Sequence, residues 1–384
     1  MPLHRLLPLA QQRRQAFLDL LQRFVEVESP TRDEAACDRM ADLLLATLAA
    51  DGWRVERDPR SGVGDVLAAT LPDTGDGPGT LVLAHYDTVW PLGTLSEMPW
   101  RVDDAEDRAY GPGTLDMKAG IAGTLLAARW LRELGVTPPG PVTLLITSDE
   151  EVGSAASRER IEAEARRHDR VLVVEGARDD GALKVGRKGV ADYHLEFTGV
   201  PAHAGNYPDQ GASALIELAH MALFVRTLDD RAAGTTAHPT VAQAGGAVNV
   251  ITEHARLDVD VRVLRMDEAE RIDGALRRWQ PRDPRVTVAV RGGLNRPPME
   301  PTPGNLAAFD EARHIAAVWG LQLESAVVGG GSDGNFTSAL GVPTLDGVGA
   351  CGAGAHARGE HVRIGDTLER VALLAALLGG LAPA

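Results

Sequence analysis

Val142–Ser154 reads VTLLITSDEEVGS, a run of mostly apolar, β-favouring residues that ends in two adjacent glutamates, Glu150 and Glu151. A strand buried on both faces has no structural use for a carboxylate pair at its end. Two like charges side by side repel, and one pKa rises unless a cation compensates. The pair therefore sits in solvent at a loop or faces a metal. Its neighbours decide which.

Two further apolar runs end in the same manner. GTLVLA, residues 79–84, leads into His85-Tyr86-Asp87, and RVLVVEG, residues 170–176, ends in Glu175-Gly176. The spacing predicts helices over 119–134 and 155–167, so strand and helix alternate. That alternation implies an α/β fold with a mainly parallel, mixed sheet and helices on both faces. In such sheets ligands bind beyond the carboxyl ends of the strands, where all three polar endings fall. Residues i and i+2 of a strand share a face, so His85 and Asp87 point together.

Around this centre, apolar periodicity predicts helices over 11–28 and 32–51, the first stopped by Pro30 and the second by Gly52. After Gly189 the pattern changes. Strands at 191–198, 240–244, 257–263 and 285–290 and helices at 210–228 and 267–279 follow the order β-α-β-β-α-β. LDVDVRV at 257–263 alternates strictly, with Leu257, Val259, Val261 and Val263 on one face. This order matches a ferredoxin-like unit inserted into the first domain. The expected division is 1–188 and 297–384 for the outer domain and 189–296 for the insert. The last part adds a helix from Asn305, a Gly-rich run at 329–334, the stretch GAHARGEHV and a closing helix from Asp366.

A chain of 384 residues with 44% hydrophobic and 24% charged residues can bury a substantial core. Its formal net charge of −15 argues against a sequence-independent grip on nucleic acid. Cys37 and Cys351 are the only cysteines, too few for a disulfide framework or a four-cysteine zinc site. Arg13-Arg14 is followed by the charged, amphipathic FLDLLQRFVEVE rather than an apolar signal core. No run approaches the roughly 18 apolar residues of a membrane span. The expectation is a cytoplasmic protein with neither a membrane nor a nucleic-acid partner.

Each candidate group has a plain alternative. His85 with Asp87 could cap a strand end. Asp116 precedes a helix, where Asp is a preferred N-cap. Glu175 could be a turn residue, and His356 and His361 could be surface histidines in a Gly-rich loop. Their co-occurrence points elsewhere, because two histidines and several carboxylates at strand ends and loops match an N/O dinuclear zinc site. One bridging carboxylate lets five ligands serve two ions, which at roughly 3.5–4 Å apart lower the pKa of a shared water and polarise a carbonyl. One carboxylate near that water must stay off the metals to move protons. Glu150 and Glu151 then divide into base and ligand.

His85-Tyr86-Asp87-Thr88-Val89, Tyr110-Gly111-Pro112-Gly113 leading to Asp116 and Lys118-Ala119-Gly120, and Asp149-Glu150-Glu151 with Gly153-Ser154 carry a resemblance. Glu175, Ala202-His203-Ala204-Gly205, the run from Gly329 to Asp333 and Gly354-Ala355-His356 extend it over nearly the whole chain. The sequence resembles the M20 family of zinc peptidases, most of all its glutamate carboxypeptidase (carboxypeptidase G2-type) branch. The resemblance implies a zinc-exopeptidase-like fold with a lid or dimerisation insert. It implies two Zn2+ per subunit, with Co2+ or Mn2+ as alternatives. His85 and Glu175 would hold one ion, Glu151 and His356 the other, and Asp116 would bridge. Glu150 would be the general base and Asp87 would orient His85.

The same resemblance implies that His203 stabilises an oxyanion, and that Asn249, Arg262 and Gly330 contact substrate. It implies a homodimer formed through the insert, and release of a C-terminal amino acid of glutamate type from a small peptide or N-acyl amino acid. A plain reading of Arg262 pairs it with Asp260 or Asp258 on its own strand. Arg187-Lys188 adds positive charge that the G2-type pattern does not obviously carry. His361 is the fallback ligand to His356. The runner-up activity is an aminoacylase or deacetylase at the same site. A rival class is a serine esterase, since Gly330-Gly331-Ser332-Asp333-Gly334 fits G-x-S-x-G with Asp346 and His356 following in order. That rival leaves His85, Asp116, Glu150, Glu151 and Glu175 without a purpose.

Overall fold

The strands Val142–Thr147 and Thr80–His85 are buried along their whole length, as near-continuous apolar runs are when both faces of a sheet are covered. The computed structural model describes residues 2–382. The chain divides into two units: one comprises the residues through Gly186, Pro301–Val328 and those from Ser332 on, the other Arg187–Glu300 with Gly329–Gly331. Gly329–Gly331 group with the insert because the Arg187 guanidinium donates to the carbonyls of Gly330 and Gly331 at 3.3 and 3.1 Å.

The first unit is built on an eight-stranded sheet. Its middle is parallel: Thr80–His85 pairs in parallel with Val142–Thr147 on one side and with Arg170–Val173 on the other, and Thr344–Asp346 follows in parallel. Antiparallel strands extend it, including Arg54–Asp58 and Val66–Thr70. Register aligns the functional ends. His85 lies opposite Thr147 and Leu83 opposite Val173, so Glu175 falls level with His85 two residues beyond its strand. The α/β class and the mixed, mainly parallel sheet hold as expected.

Two local differences have physical causes. The expected 11–28 helix is preceded by another, Pro2–Gln12, whose Leu3, Leu6 and Ala10 are buried at helical spacing. Pro8 lies inside it and lacks an amide donor, which disguised the pattern. A second small sheet joins Arg101–Asp103, Arg108–Tyr110, His361–Arg363 and Gly352–Ala353. Strands of two or three residues carry no readable alternation.

The second unit is an antiparallel four-stranded sheet in the order Thr236–Ala244, His254–Val263, Gly189–Thr198, Thr287–Arg296, with helices Ala214–Thr227 and Met266–Arg278. Leu257, Val259, Val261 and Val263 are buried, and so are Tyr193, Leu195 and Phe197 of the neighbouring strand. This is the ferredoxin-like order expected from the β-α-β-β-α-β pattern.

Helix Ala119–Glu133 approaches the sheet through Gly120, where a Cβ would stand 1.9 Å from the Val174 carbonyl oxygen. Gly120→Ala must push helix and strand end apart, a cost of about 1–3 kcal/mol for overpacking. A fall in urea midpoint at unchanged slope is the expected result. An unchanged midpoint would show that the approach is not tight.

Candidate metal centre

The strand ends and two loops bring His85, Asp116, Glu151, Glu175 and His356 to one place. Their ligand atoms form two clusters, His85–Asp116–Glu175 and Asp116–Glu151–His356, each within 4.8 Å. Asp116 belongs to both. Its Oδ1 lies 3.1 Å from His85 Nε2 and its Oδ2 3.1 Å from His356 Nε2. Glu175 Oε1 stands 3.6 Å from His85 Nε2, and Glu151 Oε2 3.2 Å from His356 Nε2.

The plain alternatives for these residues fall away. Asp116 is not the cap of the helix that follows: that helix begins at Ala119 with Lys118 at its N-cap position, and both Asp116 carboxylate oxygens face imidazoles. His356 is only half exposed, yet its imidazole faces two carboxylates. It adopts the left-handed region with φ 60°, which a non-glycine residue does rarely. His361 turns away, with Nδ1 2.8 Å from the Gly359 carbonyl and its ring 5.2 Å from that of Tyr110.

Asp87 is fully buried. Its carboxylate accepts from the Thr31 hydroxyl at 2.7 Å and from the Glu150 and Glu151 amides at 3.3 and 3.2 Å. His85 Nδ1 stands 3.3 Å from its Oδ1 and 3.1 Å from its carbonyl. One carboxylate thus orients the His85 ring and fixes the turn that carries both glutamates, the arrangement by which a ligand imidazole is held for a metal.

The electrostatics fit cation binding. Burial alone would depress the His85 imidazole, but hydrogen bonds to Asp116, Asp87 and Glu175 outweigh it and hold its pKa well above the ordinary value. Hydrogen bonds to Asp116 and Glu151 push His356 up to about 11. Burial would raise Asp116, yet its bonds to His356 and His85 hold it far below the usual carboxylate range. Burial raises Glu151. Glu151 Oε1 is buried with no hydrogen-bond partner. An orphaned buried carboxylate oxygen in a cluster with the His356 imidazole and the Asp116 carboxylate is part of the donor set of a divalent cation.

The remaining predicted residues lie in the second unit. His203 pairs backbone with Val250, and the Ala204 amide donates to the Asn249 carbonyl at 2.9 Å, so the His203 and Asn249 segments run side by side. His203 Nδ1 accepts from the Gly205 and Asn206 amides at 3.2 and 3.0 Å. The Arg262 guanidinium is forked on Asp260, with Nη2–Oδ2 2.7 Å, as the plain reading of that strand expected. Gly330 has open space where a Cβ would be. Ser332, by contrast, is fully buried and donates to Asp346 Oδ2 at 2.6 Å. It is a structural hydroxyl, and the esterase reading falls with it.

Sequence reasoning missed Glu360. It is 1% exposed and accepts from the Gly113, Leu115 and Asp116 amides and the Trp90 indole. GAHARGEHV contains it, but no local pattern marks it.

A mainly parallel sheet whose strand ends assemble two carboxylate–imidazole clusters around one shared aspartate has the make-up of a metal-dependent hydrolase. Peptidase family M20/M25/M40 matches residues 81–379, and the chain belongs to that family. It is 32% identical to carboxypeptidase G2 of Pseudomonas sp. (strain RS-16) over 94% of this chain and 88% of that protein. It is 30% identical to a succinyl-diaminopimelate desuccinylase of Leptothrix cholodnii, covering 90% and 94% of the two chains. Among solved structures, a tripeptidase of Staphylococcus aureus matches with a TM-score of 0.78 at 22% identity, covering 96% and 99%. An M20 family metallo-carboxypeptidase of Sulfolobus solfataricus matches at 0.72 and 19%, covering 94% and 98%. Among the described residues no helix is long and apolar enough to cross a membrane.

Raised imidazole pKa values make a testable demand. In the metal-free protein both histidines carry protons near neutrality, and a cation binds only the neutral rings. Metal binding should release protons, and affinity should rise with pH, by about tenfold per pH unit for each proton displaced. Calorimetric titration of Zn2+ in buffers of different ionisation enthalpy counts those protons. A pH-independent affinity would contradict the paired-imidazole geometry.

Proposed function

We propose that this chain is a dizinc exopeptidase that hydrolyses an amide bond and releases a C-terminal amino acid, glutamate-type side chains being preferred. One observation carries the metal reading: Asp116 divides its two carboxylate oxygens between the two imidazole clusters. His85 and Glu175 would hold one Zn2+, Glu151 and His356 the other, and Asp116 both. Bound there, such ions would supply an acidified water and a polarised scissile carbonyl. The preference for a glutamate-type product rests on the likeness to carboxypeptidase G2.

Glu150 is assigned the proton transfer. It begins the turn that Asp87 fixes through backbone amides, and the neighbouring Glu151 is engaged with His356. It takes the proton of the attacking water and delivers it to the departing amine. In the second unit, two backbone amides donate to His203 Nδ1, so the neutral ring carries its proton on Nε2. That N–H suits donation to a developing oxyanion. Asn249 and Arg262 are assigned to the substrate carboxylate, Arg262 by exchanging its fork on Asp260 for one on the substrate.

A homodimer through the second unit is supported by its surface. Helix Ala214–Thr227 exposes Leu215, Ile216 and Leu223, the last 70% exposed, and Thr236–Ala244 is an edge strand. A second copy would cover both. Hydrolysis of N-acyl amino acids by the same groups is the second reading, favoured by the 30% identity to a desuccinylase.

Glu150→Gln should lower kcat by about 10²–10⁴-fold while leaving zinc content intact. Unchanged turnover would remove Glu150 from the mechanism. A panel of N-acyl and N-peptidyl amino acids on the zinc-loaded protein tests the substrate. If C-terminal glutamate or aspartate carries no advantage in kcat/KM, the carboxypeptidase assignment gives way to the N-acyl reading.

A further inference from the structure

The residues from Gly111 to Lys118 form a largely buried segment whose helical turn is broken by non-helical torsions at Asp116 and Met117, and its amides need partners. Some bonds are local: Thr114 donates to Gly111 at 3.3 Å and Lys118 to Gly113 at 3.0 Å. Three other amides of the segment go to one side chain. Glu360 Oε2 accepts from Gly113 at 2.9 Å, and Oε1 accepts from Leu115 at 2.9 Å and Asp116 at 3.1 Å. The Trp90 indole donates to Oε2 at 2.8 Å.

Glu360 also belongs to the loop that presents His356. The Glu360 amide donates to Ala357 and the Ala357 amide to Gly354, both at 2.9 Å, so the turn carrying His356 is closed on both sides of Ala357. Immediately after it, His361–Arg363 pairs with Arg108–Tyr110, the strand that leads into the Asp116 segment. Two ligand-bearing loops, distant in sequence, are joined by this strand pair and, at the level of Asp116, by one carboxylate. His85 and Glu175 are positioned by aligned parallel strands and need no such tie. His356 and Asp116 have no strand to align them.

We propose that Glu360 is a positioning residue: it sets the spacing of Asp116 and His356, and thereby the affinity of the paired-cation site. This rests on the dimetal reading above. Glu360 touches neither substrate nor cation. It acts by holding the Asp116 backbone and the His356 loop in one rigid body, so that the shared carboxylate meets both imidazoles at once. Outer partners of ligand residues commonly control metal affinity by about 10–100-fold.

The test titrates Zn2+ into the metal-free full chain against a chromogenic chelator, for wild type, Glu360→Gln and Glu360→Asp. The Gln variant keeps the volume but turns an NH2 group toward backbone donors. The Asp variant keeps the charge but cannot reach all three amides. Wild type should bind two ions. Glu360→Gln should weaken binding by about tenfold or more, with Glu360→Asp between them. Turnover of the Gln variant should recover as Zn2+ is raised to saturation, with KM little changed, which a loosened fold would not give. Far-UV circular dichroism and thermal melting of the metal-free variants report folding separately. If wild type binds two ions and both variants bind them with unchanged constants, the proposal is overturned while the dimetal reading stands. If wild type binds none, both fail. If neither variant folds, Glu360 is a residue of the fold and the positioning role is overturned as well.

Discussion

Everything in this site depends on Asp116 facing two imidazoles at once, each 3.1 Å from a different oxygen of the same carboxylate. Three carboxylates and two histidines occupy a volume in which no one of them could be charged cheaply alone. Without metal, protonated imidazoles offset the carboxylates and leave one net negative charge. With neutral imidazoles and two divalent cations the balance becomes one net positive charge. Under the proposed two-cation reading both states would be nearly compensated, and the positive one would suit a developing negative charge on substrate.

The two halves of the centre are built differently. His85, Glu151 and Glu175 follow three hydrogen-bonded parallel strands, and their heights are fixed by ladder register. Asp87 then locks the turn after Val142–Thr147 to the end of Thr80–His85. Asp116 and His356 come from irregular backbone, in which buried amides must find side-chain acceptors. A carboxylate is the natural choice because it accepts several bonds, and Glu360 supplies it. Rigid strand ends and a cross-linked loop pair converge on one aspartate.

How far the sequence revealed this follows from that division. The strand-end residues were legible because apolar runs announce buried strands, and parallel sheets gather polar endings on one rim. The ferredoxin-like insert was legible from the alternation in LDVDVRV and the order of its elements. Asp116 was ambiguous on its own, since a residue shortly before a helix reads as a cap; only the fold shows its two oxygens facing His85 and His356. The small sheet and Glu360 were not legible. Their content is contact between segments about 250 residues apart, and neither two-residue strands nor a lone glutamate carry that in local pattern. Helix Pro2–Gln12 was hidden by Pro8, although Leu3, Leu6 and Ala10 kept the spacing.

The opening pair of glutamates gains a physical asymmetry from these contacts. Both amides rest on Asp87, so the two residues share one anchored turn. Glu151 is drawn to His356, with its second oxygen buried and unpartnered. A buried carboxylate so placed is stabilised as an anion by a cation beside it, which suits Glu151 to the ligand role proposed for it. Under that reading a cation beside Glu151 would offset the repulsion of its neighbour, so two adjacent carboxylates can stand at the end of a buried strand.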